Sequence, residues 1–254
     1  FMANDIANTV TPGAFAYNNI TFGAHDMDTT LVGTMTVNGT LTLADTDNTT
    51  GYINTGTIEA KGNVNITNYG KVGTALLKIS GSGNQTITGV ATGNLPNFEI
   101  VSTGGTVTLS GTLVLSADFT HTSGTVDATT STLTFLPSLA SQTVTPGAAS
   151  FYNVTFAGHG KSAAIVGTLM ATGTLTLADT DNIPGSINTG TLNANGNVVF
   201  SNYGKIGTAA LTFGGTTATT LTVGASSLRM SGTVTVAKTG AGVVTLASAA
   251  SFGT

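Results

Sequence analysis

The sequence predicts an all-β protein, a parallel β-solenoid running as one continuous body over residues 1–254. Three observations predict it. A block at 31–79 returns at 165–213 with a constant offset of 134 and no gap, about 30 of its 49 positions identical. Inside each block a shorter unit of strand, corner and strand recurs about every 17–23 residues, the signature of stacked repeats. Thr, Val, Ile and Leu dominate beside 34 glycines, a composition that suits strands and corners rather than helices.

The elements follow in order. A first long unit spans 17–95 and opens on the aromatic strand YNNITF at 17–22. GTMTVNGTLTL (33–43) then maps onto GTIEAKGNVNI (56–66) at an offset of 23. Met35, Val37, Leu41, Leu43, Ile58, Val64 and Ile66 alternate with Thr34, Thr36, Thr40 and Thr42, the period of a strand with one buried face. A short unit spans 96–150. Its stretch NFEIVSTGGTVTLSGTLVL (97–115) resembles the opening of the long unit with a shortened loop, which puts Phe98 in the role of Phe22. Within it, GTVTL (105–109) maps onto GTVDA (124–128) at an offset of 19. A second long unit spans 151–226. It repeats YNNITF one residue shorter, as YNVTF (152–156), and repeats NTGT (54–57) at 188–191 and NYGK (68–71) at 202–205. A last unit, 227–254, runs out before its pattern completes, so the chain reads as a segment of a longer array.

Such coils stack at about 4.8 Å, apolar side chains inward, with Gly and Asn at the corners. The coil is right-handed in its commoner form. The competing fold is a row of small β-sandwiches, which also show short strands and frequent turns. The 96–150 unit is too small for a sandwich of about 100 residues.

Composition narrows the function. Seven Lys+Arg are spread thinly and the net charge is −4, so no basic stripe exists for nucleic acid. Cysteine is absent, which removes disulfide and thiolate chemistry. No apolar run is long enough to insert in a membrane. The N-terminal FMANDIANTV lacks the regions of a signal peptide.

The pattern YNNITF…GTMTVNGTLTLADTDN…GTIEAKGNVNI resembles the repeat regions of large bacterial and archaeal surface proteins. These include filamentous-haemagglutinin and autotransporter-type adhesins, and filament or S-layer-like surface proteins. The resemblance implies a secreted, extracellular rod at the cell surface. It carries no functional residue over to this chain.

Candidate chemistry is sparse. The decapeptide GTLTLADTDN (39–48) recurs unchanged at 173–182. Its Asp45 and Asp47, with Asn48, and the matching Asp179 and Asp181, could hold Ca²⁺, the one cofactor the sequence suggests. An Asp/Asn turn capping backbone amides is the simpler reading. His25 and His159 recur without matching neighbours, so they are not a ligand pair, and His121 has no counterpart or partner. Asn-x-Ser/Thr glycosylation acceptors stand at Asn19, Asn38, Asn48, Asn65, Asn84 and Asn153. The Thr pairs 34/36, 40/42, 106/108, 174/176 and 233/235 could form a flat hydroxyl array of the kind that binds ice. An Asp pair could serve glycan cleavage, but the single Arg229 lies far along the chain and an active site is not normally built twice. The sequence therefore predicts no enzyme. It predicts a structural or adhesive rod that associates head to tail with itself or with further repeats, and that touches a glycan, host or abiotic surface.

Overall fold

The computed structural model describes residues 8–24, 28–45, 51–68, 72–137, 140–158, 160–179, 185–201, 207–224 and 231–247. Among them 28 strands form and no helix does. The protein is an all-β parallel β-solenoid. It divides into two compact units, Phe1–Ser131 and Thr132–Thr254, each holding one copy of the repeated block.

In the first unit the coils stack into three parallel ladders. One ladder stacks Asn8–Val10, Thr29–Leu31 and Ile53–Asn54. A second stacks Ala16–Tyr17, Thr34–Val37, Thr57–Ala60 and Leu76–Ile79, then the start of the long strand Asn97–Leu115 and that of Phe119–Asp127. A third stacks Ile20–Ala24, Leu41–Asp45, Val64–Ile66 and Gln85–Gly89 on a later part of Asn97–Leu115. The second unit repeats this plan, with Thr168–Ala171, Thr191–Ala194, Ala210–Phe213 and Val234–Val236 in one ladder.

Parallel pairing excludes the tandem sandwiches, whose sheets are antiparallel. The sequence offsets are the physical registers. Thr34 pairs with Thr57, 23 residues on, and Thr106 with Thr125, 19 on. Across the described pairs the coil length runs from 19, as in Thr57 with Leu76, to 25, as in Thr219 with Val244, somewhat longer than the sequence suggested. Corners absorb the difference, because the strands must stay in register for their side chains to stack.

Direct register puts like side chains on top of one another. Met35, Ile58, Leu77, Phe98 and Phe119 form one inward column, every member buried. Phe135, Phe156, Leu177, Phe200 and Val223 form another in the second unit. The rings of Phe135 and Phe156 stack at 4.9 Å and 24°, those of Phe98 and Phe119 at 5.8 Å and 31°. Burying each such side chain contributes about 1.5–3 kcal/mol.

Two elements sit elsewhere than the sequence pattern suggests. Phe98 does not take Phe22's role: it stacks on Leu77 in the second ladder, whereas Phe22 stacks on Leu43 in the third. NFEI belongs with TMTV and TIEA, because its alternation fits that ladder equally well. Nor is YNVTF one residue short. Ala16 pairs with Thr36 and Ser150 with Met170, both at the offset of 134. Phe151 thus occupies the place of Tyr17, and Tyr152 that of Asn18.

The NTGT corner shows how the chain turns. Thr55 and Gly56 are both left-handed, with φ of 56° and 65°, as are Thr189 and Gly190, each at 57°. A Cβ on Gly56 would lie 2.7 Å from the carbonyls of Leu31 and Gly33. Only glycine fits there.

Candidate functional site

The decapeptide loops come first. Asp45 and Asp179 end the strands Leu41–Asp45 and Leu175–Asp179, in register with Ala24 and Gly158. Asp47, Asn48 and Asp181 lie outside the described residues, as do His25 and His159. Among the described residues no group of three or more His, Cys, Asp or Glu side chains is placed to hold a metal ion.

Asp28 has a structural task. Its carboxylate accepts the Tyr52 amide at 3.3 Å and the Asn54 side-chain amide at 3.2 Å, tying one coil to the next. His121 does have a partner. It sits inward at the end of the column Val37, Ala60, Ile79, Ile100, and its Nε2–H donates to the Gly124 carbonyl at 3.0 Å. The bond lies beside the register shift between Val101 and Thr106.

Three of the acceptor asparagines tie neighbouring coils together, Asn65 stands mid-strand in Val64–Ile66, and Asn48 lies outside the described residues. Side-chain carbonyls of Asn19, Asn84 and Asn153 accept the backbone amides of Thr40, Thr106 and Thr174, one coil on, at 2.7, 3.0 and 2.8 Å. Asn63 and Asn197 repeat the device toward Thr86 and Thr220. A strand end that lacks a ladder partner is thereby satisfied. Asn19, Asn38 and Asn84 are exposed, while Asn65 and Asn153 are half-buried.

The threonines do not build a pure hydroxyl array. Thr21 and Thr42 are followed in their outward column by Asn65, and Thr134, Thr155 and Thr176 by Val199. Thr36 is followed by Glu59.

That last column carries the feature that sequence reasoning missed. The chain contains two glutamates, Glu59 and Glu99. Both fall on the outer face of the second ladder, on either side of Lys78, giving the column Thr36, Glu59, Lys78, Glu99, Thr120. Glu59 is well held: it accepts hydroxyl bonds from Thr36 at 3.3 Å and Ser80 at 2.9 Å, and Lys61 lies 3.9 Å away. Among the described residues Glu99 accepts one hydrogen bond, from the Thr122 hydroxyl at 3.2 Å. Among the described residues Lys78 makes no hydrogen bond or ion pair. Thr34, Thr57 and Leu76 complete the walls of a shallow depression of about 310 Å³ over this column. The signal was available, since the three charges are spaced 19 and 21 residues apart, one coil each. Uneven coil lengths concealed it.

The second copy lacks the column. Met170, Asn193 and Thr212 replace Thr36, Glu59 and Lys78 at the offset of 134. The arrangement can offer alternating charge to something laid across the face. Comparison with protein-family models, with curated proteins and with solved structures finds no match for the chain.

Proposed function

We propose that this protein is a structural or adhesive rod of an extracellular surface, a repeating body of a filament, sheath or S-layer-like assembly that grows by adding coils. The observation that supports this reading is an apolar surface on the last described coil. Val234 and Val236 lie in register with the buried Leu211 and Phe213, and Leu246 with the buried Leu221. Among the described residues these strands are paired on one side only. Val236 is 63% exposed and Leu246 54%. Apolar side chains in inward positions of the last described coil suit the stacking of a further coil, whether from this chain or from a second copy. A chain with 7% charged residues offers little repulsion against that step.

Sedimentation velocity over a concentration series tests it. The wild type grows into large species as concentration rises. Val236→Lys together with Leu246→Lys, at sites already exposed, stays small and folded. Growth that ignores those substitutions, or a wild type that stays monomeric at every concentration, contradicts the reading.

A further inference from the structure

We infer that the Glu59–Lys78–Glu99 face is a lateral interface between two copies of this chain, related by a two-fold axis that lies between the two faces, parallel to the strands. The face lies on strand surfaces rather than on a strand edge, so the inference stands apart from end-to-end growth. A two-fold axis makes a patch meet itself. A column with alternating signs one coil apart is complementary to itself under that operation, provided the axis passes between opposite charges. Two positions satisfy this, and the existing bonds select one. An axis between Glu59 and Lys78 would use Glu59, which Lys61, Ser80 and Thr36 already hold. An axis between Lys78 and Glu99 uses the two groups with spare bonding capacity.

With that axis Lys78 faces the partner copy's glutamate at 99, and the reverse pair forms by symmetry. Glu59 then faces the partner's threonine at 120, a hydroxyl that can donate to it, since Thr120 follows Glu99 in the column as Glu59 precedes Lys78. The depression between Leu76, Lys78 and Glu99 leaves room for a lysine stem from across the interface, with Leu76 to pack its methylenes.

The occupant is a second copy because the chemistry favours one. A face of threonines and asparagines alone would slide past itself at every coil with nearly equal energy. Charges placed in only one of the two block copies make one register better than the rest, and complementarity of this kind contributes specificity more than affinity.

Charge reversal tests the pairing, read by analytical ultracentrifugation of the full chain at low and at high salt. The wild type forms a salt-sensitive dimer. Lys78→Glu sets Glu99 against a new carboxylate at both symmetric contacts, and Glu99→Lys sets Lys78 against a new ammonium. Each variant alone therefore dimerises at least about tenfold more weakly. Mixed in equal amounts, the two variants are complementary at both contacts and recover the dimer. Circular dichroism confirms that both fold. Dimerisation that neither reversal alters overturns the inference, and so does a mixture that fails to recover. Large salt-insensitive species that persist in both variants overturn the lateral interface and leave end-to-end growth standing. A salt-sensitive dimer with no larger species does the opposite.

Discussion

Thr55 and Thr189 occupy the same corner in two copies of one coil, and both are left-handed, at φ 56° and 57°. A β-branched residue there is a strained exception, costing about 1–3 kcal/mol. Its neighbours explain why it persists. The Thr55 hydroxyl donates to the Leu31 carbonyl at 2.6 Å, and its amide donates to the Thr74 hydroxyl at 3.1 Å. Thr189 does the same toward Ile165 and Thr208, at 2.8 and 3.2 Å. One residue thus joins the coil before it to the coil after it.

A substitution series separates strain from bonding at this corner. Thr55→Val keeps the branched Cβ and the strain but loses the hydroxyl bond, so it destabilises by about 1–2 kcal/mol. Thr55→Gly loses the same bond but relieves the strain, so it stays within about 1 kcal/mol of wild type. Urea denaturation measures both. If valine proves as stable as the wild type, the hydroxyl bond does not hold the corner; if valine proves as stable as glycine, the corner carries no strain.

Close stacking of corners gives a second prediction. A Cβ on Gly62 would run into the Gly39 carbonyl, and one on Gly196 into that of Gly173, both backbone atoms that cannot swing away. Gly62→Ala and Gly196→Ala each lower stability by more than about 2 kcal/mol. Gly83→Ala, where a Cβ meets nothing within 4 Å, is nearly neutral. Thermal melts of the three variants compare them directly.

The aromatic column of the second unit gives a third. Phe156→Ala leaves a cavity against Phe135 and costs about 3–5 kcal/mol, while Phe156→Leu, which fills most of the space, costs less. Equal losses for the two would mean that the column is not tightly packed.

Acid dependence gives a fourth. The Asp127 carboxylate accepts the Thr129 backbone amide at 3.1 Å and its hydroxyl at 2.8 Å. These bonds, the backbone one foremost, hold its pKa below the ordinary carboxylate value. A carboxyl lowered on folding stabilises fully above its unfolded pKa, and that contribution fades as pH falls through the folded value. Thr129→Val removes the hydroxyl, so the Asp127 midpoint rises toward the ordinary value. An NMR pH titration of the Asp127 carboxyl reads this shift; an unchanged midpoint would remove the hydroxyl from the account.

Much of the fold was legible in the sequence because the physical repeat and the sequence repeat coincide. The offset of 23 that aligns Met35 with Ile58 is the register that stacks them. The residues read as inward, from Met35 to Ile66, are buried. What failed did so where the pattern is degenerate. Phe98 was assigned to the wrong ladder because every strand alternates alike, so alternation gives a side chain's phase and not its sheet. The left-handed Thr55 was hidden because NTGT reads as an ordinary glycine corner. The charged column was hidden because it joins residues from three coils of unequal length, which only the register brings together.

The central claim is that stacked coils continue from one molecule into the next. Cryo-electron microscopy of the protein isolated without denaturation tests it most directly. Filaments or sheets are expected, with a power spectrum that carries an axial layer line near 4.8 Å, the spacing of strands stacked along the growth direction. Dispersed single particles that persist at high concentration would contradict it.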